Sequence, residues 1–380
     1  MPAFGFATAT EIRFGRGAAR AAVPTLASFG GRALLVTGAL PKRAEWLVQA
    51  LGEVGVSVMC FPVPNEPDVA LIEAGIDAAR QVGATSVIAI GGGAVIDAGK
   101  AIAALLPASG PILDYLEVVG KGLPLRTAPL AFAAFPTTAG TGAEVTRNAV
   151  IAVPDAQRKV SLRDPSMLPA LAIVDPALTD NCPRAITLAS GLDAITQVIE
   201  PYICTKANPL TDSLCRDAIP RGLSALRTLM QGENAAARDA MAWVSLSGGL
   251  ALANAGLGVV HGLAGPLGGL SGASHGAICG ALLPHCLAAN DAAVTDAQPR
   301  NRLAEIRVWI ANALDCAPSD AFDSLARWSR EQGLPGLDAL AVTAEHREAA
   351  ARMAASSSSM KANPVMLDEA ALNRIMQAAL

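Results

Sequence analysis

Strand-like and helix-like segments alternate through the first part of the chain, and this alternation limits the possible folds more than any other feature. Between stretches in which apolar residues recur at helical spacing, short apolar runs occur at residues 33–37, 56–61, 86–90, 130–135 and 172–174. Strands that alternate with helices form a mostly parallel sheet that is covered on both faces. We therefore predict an α/β domain over residues 1–180.

From Pro183 onward alanine-rich helical segments follow one another, and strand-like runs become short and unconvincing. This change of pattern predicts an all-helical domain over residues 181–380. The chain has 380 residues, of which 52% are hydrophobic, so two domains can each have a core of their own.

Composition and charge argue against several kinds of partner. A net charge of −4 without a basic stripe argues against nucleic acid, and no unbroken apolar run reaches the roughly 20 residues that span a bilayer. The seven cysteines are scattered and include no C-x-x-C pair, which indicates reduced, mostly buried thiols. The N-terminus lacks the basic and apolar regions of a signal peptide. We expect a cytoplasmic protein whose partner is a small molecule.

A triple glycine, Gly91-Gly92-Gly93, follows the third strand-like run and precedes a helix that contains Asp97 and Lys100. At such a turn the backbone amides and the helix N-terminus can face a diphosphate, although tight structural turns use the same residues. The pattern is not the G-x-G-x-x-G of the Rossmann fold.

A second loop, residues 136–144, also follows a strand-like run and is rich in threonine and glycine. Its hydroxyls suit phosphate or ribose. Because ligands gather at the carboxyl ends of parallel strands, two such loops favour a nucleotide site.

Three of the four histidines, His261, His275 and His285, lie within residues 256–285, a glycine-rich stretch without any charged side chain. Imidazole is a common metal ligand and a general acid or base near neutral pH. The alternative is that these are hydrogen-bonded histidines of the core.

Asp193 and Gln197 are four residues apart in a helix-like segment, so both project from one face. Asp193 suits either a metal ligand or an acid stabilised by the positive end of its helix. Gln197 offers a neutral carbonyl oxygen.

Five motifs together resemble the iron-containing (group III) alcohol dehydrogenase family. Each is weak alone, but they occur in the order typical of that family and span most of the chain: GGGAVIDAGK (91–100), PTTAGTGAEVT (136–146), GLDAITQVIE (191–200), the segment from His261 to His275, and SMKANPV (359–365). The resemblance implies a nucleotide-binding α/β domain followed by an all-helical domain, the dehydroquinate synthase-like architecture, with the active site in the cleft.

The resemblance also implies a divalent metal, Fe²⁺ or Zn²⁺. Its ligands would be Asp193, His261 and His275, which we also expect to be the catalytic residues, and Gln197, which stands where the family has a histidine. Glutamine is the poorer ligand for a late transition metal. Position 265, often a further histidine in the family, is glycine here, and His285 is not expected to bind metal.

The expected cofactor is NAD or NADP. Gly38 ends the first strand-like run where the family commonly has an aspartate, and the loss of that carboxylate makes NADP less unfavourable. The residues that we predict at the cofactor are Gly38, Asn65, Gly91, Gly92, Gly93, Asp97, Thr137, Thr138, Thr141 and Lys159.

We therefore predict a cytoplasmic, homodimeric NAD(P)-dependent oxidoreductase that interconverts an alcohol with an aldehyde or ketone by metal-assisted hydride transfer. Three alternatives stay open: an enzyme resembling maleylacetate reductase that works without metal, a catalytically silent nucleotide-binding protein, and a metal-dependent lyase resembling dehydroquinate synthase. The motifs match the dehydrogenases better than the lyase.

Overall fold

A computed structural model describes residues 3–355 and 357–380 of the chain. These residues form two compact units, which we call the α/β unit and the helical unit. The α/β unit comprises residues 7–138 and 142–180; the described part of the helical unit comprises residues 3–6, 139–141, 181–355 and 357–380.

A parallel sheet forms the centre of the α/β unit and confirms the predicted α/β architecture. Its six strands lie in the order β1-β8-β5-β4-β2-β3, every neighbouring pair is parallel, and the two remaining strands form a separate antiparallel hairpin. In chain order the strands are β1 (Glu11–Phe14), β2 (Arg32–Thr37), β3 (Ser57–Pro62), β4 (Ser86–Gly91), β5 (Ala131–Pro136), β6 (Asn148–Val153), β7 (Arg158–Arg163) and β8 (Leu171–Val174).

Both faces of this sheet are covered, which explains why the central residues of its inner strands are apolar. Along β2, Leu34 and Val36 belong to one hydrophobic cluster, and Ala33 and Leu35 belong to another. Successive side chains of a strand point to opposite faces, so each face needs apolar residues of its own. The α-helices of this unit are α1 (Ala18–Ala21), α2 (Val23–Ala27), α3 (Glu45–Glu53), α4 (Val69–Gln81) and α5 (Gly93–Leu105).

A buried lysine ties α5 to the segment that leads into the β6–β7 hairpin, an element that the sequence analysis did not predict. The amine of Lys100 donates to the carbonyl oxygens of Ala143 and Asn148, each at 2.7 Å, and to the hydroxyl of Thr146 at 3.0 Å. A buried ammonium group is tolerated only when such acceptors replace its water.

The second part of the chain is helical, as predicted. Helix α6 lies at its centre and packs against α7, α8 and α10, and every residue from Gly191 to Ile203 is buried. The α-helices of the helical unit are α6 (Arg184–Ile203), α7 (Pro209–Gln231), α8 (Ala235–Asn254), α9 (Val259–Ser271), α10 (His275–Ala293), α11 (Ala297–Leu314), α12 (Ala321–Glu331), α13 (Ala344–Ala354) and α14 (Glu369–Ala378).

Within the described residues, no single helix has both the length and the hydropathy of a membrane span. Helices α8 and α9 meet these criteria only when taken together, across a bend of 97°.

Candidate active site

Asp193 lies in the interior of α6. The helix begins at Arg184, which places Asp193 in its third turn, beyond the reach of the helix N-terminus. The interpretation of Asp193 as an acid stabilised by that helix end is therefore wrong. Its side chain is only 3% exposed, and a carboxylate buried so deeply needs hydrogen-bond donors or a cation.

The two histidines come from α9 and α10, which a short turn connects. His261 lies in the first turn of α9, and His275 is the first residue of α10. Helix α9 ends at Gly272, whose φ of 71° is a left-handed conformation that suits glycine. Nε2 of His261 lies 3.5 Å from Oδ1 of Asp193, and Nε2 of His275 lies 3.9 Å from the same oxygen.

Two glycines let α10 approach α6 closely. A Cβ atom on Gly276 would lie 2.7 Å from the carbonyl oxygen of Ala189, and a Cβ on Gly280 would lie 2.8 Å from the side chain of Leu192. At Gly276 the neighbouring atom is backbone, so a larger residue would require a shift of one helix, whereas at Gly280 the side chain of Leu192 would have to move. This close contact holds His275 beside Asp193.

Cys279, which the sequence analysis read only as one of the buried thiols, completes a cluster of donor atoms. Its Sγ lies 3.5 Å from Nε2 of His275, one helical turn before it on α10. One ligand atom from each of four residues falls within 4.8 Å of every other: Asp193, His261, His275 and Cys279.

Two atoms of this cluster have no hydrogen-bond partner within the described part of the chain, although both are buried. They are Oδ1 of Asp193 and Nε2 of His261, which face each other. Leaving one such buried group unsatisfied costs about 1–3 kcal/mol, and more when it is charged. A divalent cation would satisfy both atoms, so the residues present fit the metal that the resemblance implies.

Glu200 fixes the orientation of His261 from the other side of the ring. Its Oε2 lies 2.6 Å from Nδ1 of His261, and its Oε1 accepts a hydrogen bond of 2.6 Å from the backbone N–H of Val260. When Nδ1 donates to Glu200, Nε2 is the nitrogen left for a metal. The sequence offered one signal, since Glu200 lies two helical turns after Asp193 on α6.

The charges in the cluster shift its pKa values. Burial by itself lowers the pKa of His261, but the neighbouring carboxylates of Asp193 and Glu200 raise it to about 9. Burial raises the pKa of Asp193, yet His261 and His275 hold it below its ordinary value. Without a cation His261 is therefore an imidazolium at neutral pH, and a metal ion has to displace its proton.

Gln197 is buried one turn after Asp193 on α6, which agrees with the predicted shared helix face. Its Nε2 donates a hydrogen bond of 2.6 Å to the carbonyl oxygen of Gly140, which belongs to the same unit. The amide group of Gln197 thus holds the segment 139–141 against α6. Its role as a metal ligand stays a prediction.

The two glycine-containing loops meet at the carboxyl edge of the sheet. Strands β4 and β5 are neighbours, and the backbone N–H of Thr137 donates to the carbonyl oxygen of Gly91 at 2.9 Å. A Cβ on Gly91 would lie 2.5 Å from Val95, and one on Gly92 would lie 3.3 Å from the hydroxyl oxygen of Thr138. Helix α5 begins at Gly93, so its first N–H groups lie at this turn.

Other residues predicted at the cofactor fall in two groups. Gly38 follows β2, the neighbour of β4, and Asn65 follows β3, the edge strand on the far side of β2. Asp97 accepts a hydrogen bond from the backbone N–H of Val150 at 3.0 Å, and Lys159 pairs with Glu66.

Thr141 groups with the helical unit, not with the α/β unit that contains the other predicted cofactor residues. No ligand contact tests any of these ten positions, so their roles at the cofactor stay predictions.

Comparison with known proteins identifies the family. The model of the family described as "Iron-containing alcohol dehydrogenase" matches residues 9–176, and that described as "Fe-containing alcohol dehydrogenase family, C-terminal" matches residues 187–380. The chain belongs to the iron-containing alcohol dehydrogenase family. The resemblance read from the motifs is confirmed.

Individual relatives agree over most of their length. The chain is 33% identical to the NAD-dependent methanol dehydrogenase of Bacillus methanolicus over 379 residues, which cover 96% of this chain and 97% of that one. It is 33% identical to the 1,3-propanediol dehydrogenase of Klebsiella pneumoniae, with 80% of each chain covered. Among solved structures, a 1,3-propanediol oxidoreductase matches with a TM-score of 0.90 and 30% identity, covering 100% of both chains.

Membership of this family establishes the general activity. The protein is an alcohol dehydrogenase, an oxidoreductase that interconverts an alcohol with an aldehyde or ketone. The family uses NAD(P) and a divalent metal, and the donor cluster around Asp193 is a possible site for that metal.

Proposed function

We propose that Asp193, His261 and His275 hold the divalent metal and that the enzyme acts on short-chain primary alcohols and their aldehydes. The observation that carries the proposal is the pair of buried, unpartnered atoms, Oδ1 of Asp193 and Nε2 of His261, with His275 beside them. When bound, the metal polarises the substrate oxygen and stabilises alkoxide character while hydride moves. Relatives named for methanol, 1,3-propanediol and lactaldehyde support a small substrate.

The carboxyl edge of the sheet supplies the proposed cofactor site. Gly91, Gly92 and Gly93 form the turn proposed to face a diphosphate, and the first N–H groups of α5 add positive potential. Thr137 and Thr138 offer hydroxyls beside this turn, and Gly38, Asn65, Asp97, Thr141 and Lys159 complete the proposed set of cofactor residues.

Two variants separate the metal from the cofactor. Gly92→Val adds a branched side chain that meets Thr138, so we expect a strong rise in the Kd for NAD(H) in a fluorescence titration with the fold intact. Asp193→Ala removes the carboxylate of the metal site, so we expect unchanged NAD(H) binding, loss of bound metal by elemental analysis and loss of aldehyde reduction.

Three results would contradict the proposal. Unchanged nucleotide affinity in the folded Gly92→Val protein would remove the cofactor site from this turn. Full turnover of wild type with a chelator present would favour a metal-free reductase, and tight NAD(H) binding without turnover on a panel of aldehydes and alcohols would favour a silent nucleotide-binding protein.

We also propose that the enzyme accepts NADP(H). Gly38 ends β2 without a carboxylate that would repel the 2′-phosphate. The kcat/KM values with NADH and NADPH should differ by less than about a thousandfold, or ~4 kcal/mol. A larger preference for NADH would mean that another acid reaches the ribose.

A homodimer in the cytoplasm completes the proposal. All seven cysteines are free in the structure, which suits a reducing compartment. Light scattering of the purified enzyme should give twice the mass of one chain, and a monomeric mass would contradict this assembly.

A further inference from the structure

We propose that Cys279 is a metal ligand, and that its thiolate takes the fourth position of the site in place of Gln197. The inference rests on the proposed function, in which Asp193, His261 and His275 hold a divalent metal. It changes the donor set from two nitrogens and two oxygens to two nitrogens, one oxygen and one sulfur.

Two separations between the donor atoms are close to those around one ion of tetrahedral geometry, and a third, from His275 Nε2 to Asp193 Oδ1, is 3.9 Å. With metal–nitrogen and metal–oxygen bonds of about 2.0 Å and a metal–sulfur bond of about 2.3 Å, tetrahedral donors lie about 3.3 Å (N and O) and about 3.5 Å (S and N) apart. The Cys279 Sγ to His275 Nε2 distance is 3.5 Å, and the Asp193 Oδ1 to His261 Nε2 distance is also 3.5 Å. The thiol therefore lies at ligand distance from His275 and within 4.8 Å of the donor atoms of Asp193 and His261.

Gln197 already has a different partner. Its amide nitrogen donates to the carbonyl oxygen of Gly140 at 2.6 Å, which leaves the neutral carbonyl oxygen as the one donor atom that Gln197 could offer a metal. Cys279 instead lies on α10, one turn after His275, and is fully buried at 0% exposure. The fourth donor has thus moved from α6 to α10.

The balance of charge favours the thiolate. With Gln197 as the fourth ligand, Asp193 would supply the only negative charge among the ligands of a divalent ion. With a thiolate from Cys279, the two negative charges of Asp193 and Cys279 balance the charge of the divalent ion. An uncompensated charge is costly in a buried site. On binding, the S–H bond breaks, the electron pair stays on sulfur and forms the bond to the metal, and the proton leaves to solvent. Thiolate and imidazole together suit Zn²⁺ better than hard cations such as Mg²⁺.

Cobalt provides a direct test, because a thiolate bound to Co²⁺ produces a charge-transfer absorption band in the near ultraviolet that oxygen and nitrogen ligands do not. The metal-free, full-length protein is titrated with CoCl₂ under anaerobic conditions. Wild type, Cys279→Ser, Cys279→Ala and Gln197→Ala are compared, and Cys286→Ser is the matched control because Cys286 is also buried on α10. Circular dichroism checks that each variant is folded.

The inference predicts a charge-transfer band in wild type, Gln197→Ala and Cys286→Ser and none in the Cys279 variants. The Kd for Zn²⁺, from competition with a chromophoric chelator, should rise in Cys279→Ala by more than the roughly 10–100-fold that loss of an outer partner causes. Gln197→Ala should change that Kd much less.

Other outcomes would overturn the inference and can be told apart. If wild type binds one Co²⁺ without the band, or if Cys279→Ala keeps the Kd of wild type, Cys279 is only a buried thiol and the proposed function stands. If wild type binds no more Co²⁺ than Asp193→Ala, the metal site of the proposed function fails as well. If neither Cys279 variant folds, the wild-type protein is alkylated with and without Zn²⁺, and labelling of Cys279 is measured by peptide mass mapping. Protection of the thiol by Zn²⁺ supports the inference, and equal labelling in both conditions counts against it.

Discussion

Glu200 acts on the metal site through another residue. Its carboxylate accepts a hydrogen bond of 2.6 Å from Nδ1 of His261 and another from the backbone N–H of Val260. Glu200 therefore fixes both the ring of His261 and the first turn of α9. Its side chain is 3% exposed, and His261 is the group that faces Asp193. We therefore regard Glu200 as a positioning residue.

Replacing Glu200 with glutamine should weaken metal binding by roughly 10–100-fold, because the ring loses an anionic partner that keeps Nε2 available. The measurement is the Kd for Zn²⁺ by chelator competition, with the exposed Glu331→Gln as a control that should match wild type. The Kd for NAD(H) should not change, which separates positioning from a general loss of structure. Equal Zn²⁺ affinity in Glu200→Gln and wild type would show that Glu200 serves the fold alone.

At the scale of whole elements, the contact between α6 and α10 determines whether the ligands meet. Helix α6 supplies Asp193 and α10 supplies His275, and the two helices touch where Gly276 faces the carbonyl oxygen of Ala189. A methyl group there would come within 2.7 Å of that oxygen. Backbone cannot yield as a flexible side chain does, so one helix would have to move.

Gly276→Ala should therefore destabilise the protein by about 1–3 kcal/mol, the usual cost of overpacking, and weaken metal binding because His275 shifts. Gly265→Ala is the matched control: it lies in α9, and an added Cβ there meets nothing within 4 Å of it among the described atoms. The control should leave stability unchanged or raise it by up to about 1 kcal/mol. Denaturant unfolding and Zn²⁺ titration measure both effects, and equal behaviour of the two variants would remove the proposed role of the close contact.

At the scale of the whole molecule, the proposed metal site joins helices that are far apart in the chain. Its donor atoms come from α6, α9 and α10. The unfolded chain cannot hold these atoms together, so a metal that binds only the folded protein stabilises it by mass action.

Removing the metal should lower the Tm. At a free metal concentration about 100 times the Kd, the stabilisation is about 2.7 kcal/mol. We expect calorimetry to show a lower Tm after treatment with chelator, and recovery when Zn²⁺ or Fe²⁺ is added back. Asp193→Ala should show no such response, and a Tm of wild type that is indifferent to both chelator and metal would contradict a site shared by the three helices.

Local pattern was sufficient for the architecture and for several of the site residues. Apolar runs such as residues 86–90 read as strands because both of their faces are buried. Spacing also put Asp193 and Gln197 on one buried helix face. Hydrophobic periodicity and composition are properties of short segments, so they can be read from the sequence without knowledge of the fold.

Only the tertiary structure decided which faces meet. His275 and Cys279 share a face of α10 by spacing alone, but nothing local says that this face packs on α6 at Asp193. Likewise, Glu200 reaches His261 across 61 positions of the chain. Contacts between distant segments depend on which surfaces pack best, and here small details such as the missing Cβ of Gly276 determine that choice.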